Sequence, residues 1–234
     1  MGAMRPTVLL FDIDGTLITT GGAGRRAMDL AFEQLHGRRD ACDSFHMSGM
    51  TDRAIVRKAL RIIGVEDSEA AIDAGIAAYL AHLTEEVRKV DEQRYIVFPG
   101  IREAVIEARK RDGFAVGLGT GNIRAGARVK LERVAIHDQF SFGGFGCDHE
   151  NRVELIRRGA EAGAATLGVP REECRVVIIG DTPMDVAAAL GIGAECIGVG
   201  TGTYKAEALL EAGAHAAFPD FTHPEALPTL LGGR

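Results

Sequence analysis

The sequence predicts an α/β fold: a doubly wound parallel sheet core with an inserted α-helical cap domain. Two observations carry this. Short apolar runs at residues 7–11, 114–119, 175–179, 195–199 and 215–218 alternate with helical patterns at 101–111, 123–134, 152–167, 184–190 and 205–212. Residues 19–95, by contrast, hold three helical patterns, Arg25–Leu35, Asp52–Ile63 and Ser68–Val90, and no convincing strand. Strands alternating with helices build a parallel sheet with helices on both faces.

Each element has a local reason. Val8-Leu9-Leu10-Phe11 is a continuous apolar run ended by a turn signal, as suits a strand buried on both faces. Ala54-Ile55, Lys58-Ala59 and Ile62-Ile63 repeat at helical spacing and leave an apolar stripe. Gly113, Gly168, Gly191 and Gly213 fall where the later helices should end. Val97-Phe98-Pro99-Gly100 marks the return to the sheet domain. The expected division is therefore 1–18 plus 96–234 for the core and 19–95 for the cap.

Composition narrows the class. The 234 residues are 46% hydrophobic and 26% charged, enough for a sizeable core. A net charge of −6, no Trp and 6% aromatics disfavour a nucleic-acid surface. No apolar stretch approaches a membrane span, and no room for a signal peptide precedes the first strand. Cys42, Cys147, Cys174 and Cys196 form no C-x-x-C pair, so we expect reduced thiols in a cytoplasmic protein rather than zinc ligands. The sequence does not tell whether Gly2-Ala3-Met4 is native or a cloning remnant. No sequence feature sets the oligomeric state.

The chemistry is concentrated at strand ends. The first strand runs into Asp12-Ile13-Asp14-Gly15-Thr16. In an extended chain Asp12 and Asp14 would point to one side, where their like charges repel unless a cation or proton intervenes. Asp-x-Asp-Gly by itself reads as a surface turn. The buried strand before it shifts the balance, since ligands of open parallel sheets bind beyond the strands' carboxyl ends. The second strand ends in Gly119-Thr120-Gly121-Asn122, a hydroxyl and free N–H groups suited to phosphate, or equally a plain glycine turn. No dinucleotide or Walker-type glycine spacing is present. The third ends in Gly180-Asp181-Thr182-Pro183-Met184-Asp185. Helix-start preference explains Asp185, but not why acids end both this strand and the first. Magnesium would, because it takes carboxylate oxygens together with substrate phosphate and water.

A phosphorylated substrate among aspartates also needs a protein cation. Between Leu131 and Tyr204 the chain has no lysine, so a cation there must be arginine. Arg152 opens a helix and faces the strand ends, whereas Arg157 and Arg158 lie further along and read as solvated surface. His149 is a weaker polar candidate in the preceding loop.

These residues resemble the haloacid dehalogenase superfamily, in its phosphatase branch with a helical cap. The resemblance covers the whole chain and implies a Rossmann-like core. Asp12-Ile13-Asp14-Gly15-Thr16 matches the first motif, Thr120 the second, and Gly180–Asp185 the fourth, in order and spacing. Phe98-Pro99-Gly100 resembles the phosphoglycolate-phosphatase-like subgroup. The third motif departs: family members more often carry lysine, and Asn151-Arg152-Val153 stands here. The resemblance implies an Mg²⁺-dependent phosphatase acting on a small phosphorylated metabolite of phosphoglycolate or sugar phosphate type. It implies Asp12 as nucleophile, Asp14 as acid and base, and metal held by Asp12, Asp14 and Asp181 with support from Asp185. Thr120, Gly121, Asn122 and Arg152 would bind the phosphoryl oxygens.

Other family chemistries fit less well. Dehalogenases lack the second acid, so Asp14 argues against carbon–halogen hydrolysis. Phosphonate cleavage needs a cap lysine, and only Lys58 and Lys89 occur in the cap, both in charged helical context. Phosphomutases of the β-phosphoglucomutase type carry Gly-x-Ser-Arg in the cap to grip a second phosphate. Here the stretch reads Gly49-Met50-Thr51-Asp52-Arg53, which weakens but keeps that alternative. Gly49, Thr51, Asp52 and Arg53 are the candidate cap contacts to substrate, with Thr51 equally readable as a helix cap. A regulatory phosphate-binding domain without turnover is the remaining alternative. A receiver domain would need neither the second acid nor a lid, and a silent relative should show damage in one of the motifs, where only the lysine-to-arginine exchange is seen.

Overall fold

The structure, a computed structural model, describes residues 5–233. Gly2-Ala3-Met4 lies outside them. The chain begins with β1 (Thr7–Phe11), followed by β2 (Ile18–Thr19), α1 (Ala23–His36), α2 (Asp52–Ile62), α3 (Glu69–Lys89) and β3 (Ile96–Val97). It continues with α4 (Ile101–Arg109), β4 (Phe114–Thr120), α5 (Arg124–Glu132), β5 (Gly143–Phe145), α6 (Arg152–Leu167) and β6 (Arg175–Gly180). The last elements are α7 (Pro183–Gly191), β7 (Glu195–Val199), α8 (Ala206–Glu211), β8 (Ala216–Phe218) and α9 (Ala226–Leu230).

Six strands form a parallel sheet in the order β5-β4-β1-β6-β7-β8. All five residues of β1 are buried, because β4 and β6 flank it in parallel and helices cover both faces. Its side chains alternate between two cores: Val8 and Leu10 pack on one face, Leu9 and Phe11 on the other. The chain builds outward from β1 in one direction through β4 and β5, then in the other through β6 to β8. The order thus reverses at β1, and a crevice opens beyond its carboxyl end. The α/β class and the five expected strands are present.

Three pieces were not foreseen. β5 is Gly-Gly-Phe, too short and glycine-rich to read as a strand. α9 adds a short C-terminal turn of helix. β2 and β3 pair antiparallel, Ile18 opposite Val97 and Thr19 opposite Ile96. This ribbon gathers the outgoing and returning chain at one place, and α1, α2 and α3 lie between its strands. Ser68 caps α3 through Ala71 N–H, and Thr51 caps α2 through Ala54 N–H. No helix of the described residues is long and apolar enough to cross a membrane.

Candidate active site

The loops after β1, β4 and β6 and the start of α6 meet at the crevice. Ligand oxygens of Asp12, Asp181 and Asp185 lie within 4.8 Å of one another, and all three residues are buried. Arg152 stands among them. Its Nη2 is 3.0 Å from Asp12 Oδ2 and 2.6 Å from Asp185 Oδ1, and its Nη1 donates to Gly49 O at 3.0 Å. The expected arginine is therefore in the cluster, placed by the first residue of α6. Arg157 and Arg158 are not: Arg157 pairs with Glu154 and Arg158 donates to Asp148 O. His149 Nδ1 accepts from Asn151 N–H in an exposed loop and lies outside the cleft.

Asp185 has two structural duties. It occupies N3 of α7 in a capping box, with Oδ2 accepting from Thr182 N (3.1 Å) and Thr182 Oγ1 (2.7 Å). Its Oδ1 accepts from Arg152. Helix-start preference and a site role coincide in one side chain. Because both oxygens are engaged, Asp185 orients Arg152 rather than presenting a free carboxylate.

The two acids of the first motif part company. β1 ends at Phe11, so the extended-strand expectation that Asp12 and Asp14 share one side does not describe their partners. Asp12 faces Arg152 and the acid cluster. Asp14, whose side chain is 43% exposed, turns to Asn122 and Lys130. Lys130 Nζ is 2.6 Å from both Asp14 Oδ2 and Asn122 Oδ1, and Asn122 Nδ2 donates to Asp14 Oδ2 at 2.8 Å. Thr120 Oγ1 accepts from Asn122 N and Nδ2, and its hydroxyl sits against the Asp12 carboxylate. Lys130 was missed by the sequence reading because the search for a cation began one residue after it. Its register on α5, about two turns beyond Asn122, is the signal that would have found it.

Electrostatics show an excess of negative charge. Burial pushes the Asp12 carboxyl up to about 6; Arg152 pulls it down and Asp185 pushes it back. Burial, then Asp185 and Asp12, push Asp181 up to about 8. Burial opposes the charge on Lys130, but Asp14, Tyr79 and Asp52 outweigh it and lift its pKa above the usual lysine range. Asp181 is further enclosed by glycine. A Cβ on Gly202 would lie 1.8 Å from Asp181 Oδ2, and one on Gly15 2.3 Å from it. Gly15 also has φ +84°, which side-chain-bearing residues seldom adopt. Asp12 and Asp181, both pushed toward protonation, offer a set of buried carboxylate oxygens that fits a divalent oxygen-seeking cation, with Asp185 beside them. The Asp14 carboxylate is not part of that set.

A cleft of about 570 Å³ opens between the crevice and α1–α3. Gly49, Asp52, Gly121 and Asn122 line it. Two other cap candidates are corrected. Thr51 caps α2 and donates to Glu150 O at 3.2 Å, so it is a structural residue. Arg53 is drawn away to Glu69 and Asp73 and does not line the cleft. Helix α2 is docked on the core at several points. Asp52 N donates to Gly121 O (2.9 Å), Asp52 Oδ2 accepts from Ile123 N (2.8 Å), and Arg57 Nη2 meets Glu150 Oε1 at 2.7 Å.

Comparison with known proteins bears on the fold and the family. A search of curated proteins finds no match. Among solved structures, the fold is similar to a hydrolase from Pseudomonas syringae (TM-score 0.68, 21% identity, covering 92% of this chain and 94% of that one). It is similar to a predicted phosphatase from Clostridium acetobutylicum (0.70, 17%, 98% and 100%). It is also similar to a predicted phosphoglycolate phosphatase from Haemophilus somnus (0.66, 17%, 94% and 96%). At such identities the likeness speaks for the fold. The family is shown by the sequence itself, where a family model of haloacid dehalogenase-like hydrolases matches residues 6–193. That span runs from β1 through α7 and takes in every strand end gathered at the crevice, so the chain belongs to the haloacid dehalogenase-like hydrolase family.

Proposed function

We propose that the protein is an Mg²⁺-dependent phosphatase that hydrolyses a small phosphorylated metabolite through an aspartyl-phosphate on Asp12. The observation that carries this is the division of labour between the first two acids. Asp12 lies in the Arg152–Asp181–Asp185 cluster, while Asp14 is held apart by Lys130 and Asn122 at the cleft. The names of the similar structures, a predicted phosphatase and a predicted phosphoglycolate phosphatase, support the same reading.

In this mechanism an Asp12 carboxylate oxygen attacks phosphorus, and the bond from phosphorus to the leaving oxygen breaks. Asp14 supplies the proton that the leaving oxygen takes. Asp14 then removes a proton from water as that water attacks the aspartyl-phosphate, releasing inorganic phosphate and restoring Asp12. Arg152, the Thr120 hydroxyl and the Gly121–Asn122 backbone hold the phosphoryl oxygens. A carboxylate oxygen of Asp12, the backbone carbonyl of Asp14, and Asp181 would hold the metal, with Asp185 behind them. When bound, Mg²⁺ supplies charge stabilisation to the phosphoryl oxygens. Residues 19–95 act as a lid whose docked position excludes water. The phosphomutase alternative loses its grip on a second phosphate, because Arg53 is turned to Glu69 and Asp73.

The test is phosphate release from an aryl phosphate. Release should require Mg²⁺, stop on chelation, and fall by about 10⁴-fold or more in Asp12→Asn, as when other catalytic nucleophiles are removed. Full activity in Asp12→Asn would sink the reading.

A further inference from the structure

We infer that the substrate's leaving group carries no second anionic group and is an uncharged, hydroxyl-bearing body such as a sugar. This rests on the phosphatase reading of the same site and names its substrate class. The first observation is the pairing of every cleft arginine and lysine. Three line the cleft: Arg152, Lys130 and Arg25. Arg152 is shared by Asp12 and Asp185. Lys130 is held by Asp14 and lies in the field of Asp52. Arg25, on the α1 wall away from the acid cluster, pairs with Asp29 through Nε at 2.8 Å and with Asp43 through Nη2.

Arg152 is thus committed to the phosphoryl group, and a carboxylate or second phosphate would have to compete with Asp14 for Lys130 or with Asp29 and Asp43 for Arg25. Such a group would shed water and meet already neutralised arginine and nearby aspartates, which selects against it. A phosphoglycolate would face this penalty through its carboxylate, and a bisphosphate through its second phosphate.

The second observation is the remaining wall. Asp52 is 6% exposed and lines the cleft, and only its Oδ2 is engaged, by Ile123 N–H. Among the described residues its other oxygen has no donor, so it is an acceptor suited to a hydroxyl. The Tyr79 hydroxyl stands beside Lys130 on the same wall. Phe98, Met50 and Ile55 give the cleft an apolar side. A sugar presents hydroxyls on its edge and C–H groups on its face, and so matches both walls. The volume, about 570 Å³, suits such a body better than a two-carbon leaving group.

The experiment compares phosphate esters in pairs that differ by a second anion: glucose phosphate against phosphogluconate, and glycerol phosphate against phosphoglycerate, with phosphoglycolate alongside. It is run at pH 8 in the wild type and in His46→Gln, so that His46, which also lines the cleft, is taken out of the comparison. The member of each pair without the second anion should have the higher kcat/KM by about tenfold or more. In the Asp29→Asn, Asp43→Asn double variant, which frees Arg25, that ratio should shrink several-fold. Equal rates, a preference for the charged members or for phosphoglycolate, or an unchanged ratio in the double variant would overturn the inference. So would refusal of all the esters while an aryl phosphate is still cleaved. Failure to cleave any ester, aryl phosphate included, would instead overturn the phosphatase reading beneath it.

Discussion

Lys130→Met should damage proton transfer more than phosphoryl transfer. The substitution keeps the aliphatic stem and deletes two 2.6 Å bonds, to Asp14 Oδ2 and Asn122 Oδ1. Asn122 is buried, so its orphaned carbonyl costs on the order of 1–3 kcal/mol. Asp14 is 43% exposed, so water replaces part of what it loses, and the net destabilisation should be about 2 kcal/mol. General acid–base catalysis is worth about 10²–10⁴-fold. Asp14 keeps one anchor, Asn122 Nδ2 at 2.8 Å, which places the loss of kcat near the low end, about 10²-fold, for an alkyl phosphate. An aryl leaving group departs with little need for a proton, so its kcat should fall by less than about tenfold. The assay is steady-state hydrolysis of the two esters by wild type and variant, with chemical denaturation alongside. Equal losses on both esters, or no loss on the alkyl ester, would refute the assignment of Lys130 to positioning Asp14.

Arg152→Met removes the one cation shared by Asp12 and Asp185 and should cost about 3–5 kcal/mol in metal-free protein, read by denaturant unfolding; a loss under about 1 kcal/mol would contradict the buried pairing. Asp52 gives a pH signature. Burial raises its carboxyl from 3.8 to about 6, so between those values the folded state holds more protons than the unfolded one. Its contribution is therefore fully present below about 3.8 and lost as pH rises through about 6. Asp52→Asn should flatten that part of the stability profile by up to about 3 kcal/mol, and an unchanged profile would show that the carboxyl is not desolvated. Arg57→Ala removes the 2.7 Å contact that fastens α2 to Glu150, and should raise KM more than it lowers kcat if lid docking assists binding. An effect confined to kcat would argue otherwise.

Much of the frame was readable from local pattern. The run Val8–Phe11 is apolar at every position because both faces of β1 are covered, and that burial leaves a mark in the sequence. The strand Gly143–Phe145 leaves no such mark. It exists because β4 offers a free edge and α6 packs closely over it, neither of which three residues record. Arg152 could be reached by elimination and by its place at a helix start. Thr51 takes the helix-cap reading that the sequence equally offered, and Arg53 does not line the cleft because sequence proximity does not say which side of α2 faces it. Arg53 points to α3, where Glu69 and Asp73 draw it.

The sequence by itself determined the α/β core, the acids at the ends of β1 and β6, and the family. These rest on short-range patterns: apolar runs, turn residues and the spacing of motifs. Only the tertiary structure decided which partner each charge has. Asp12 and Asp14 are two residues apart, yet one answers to Arg152 and the other to Lys130. Their partners come from helices far along the chain, and electrostatic pairing is set by distance and burial in space. The same reason gives Arg25 its two partners: Asp29, four residues along α1, and Asp43, eighteen residues away in the chain.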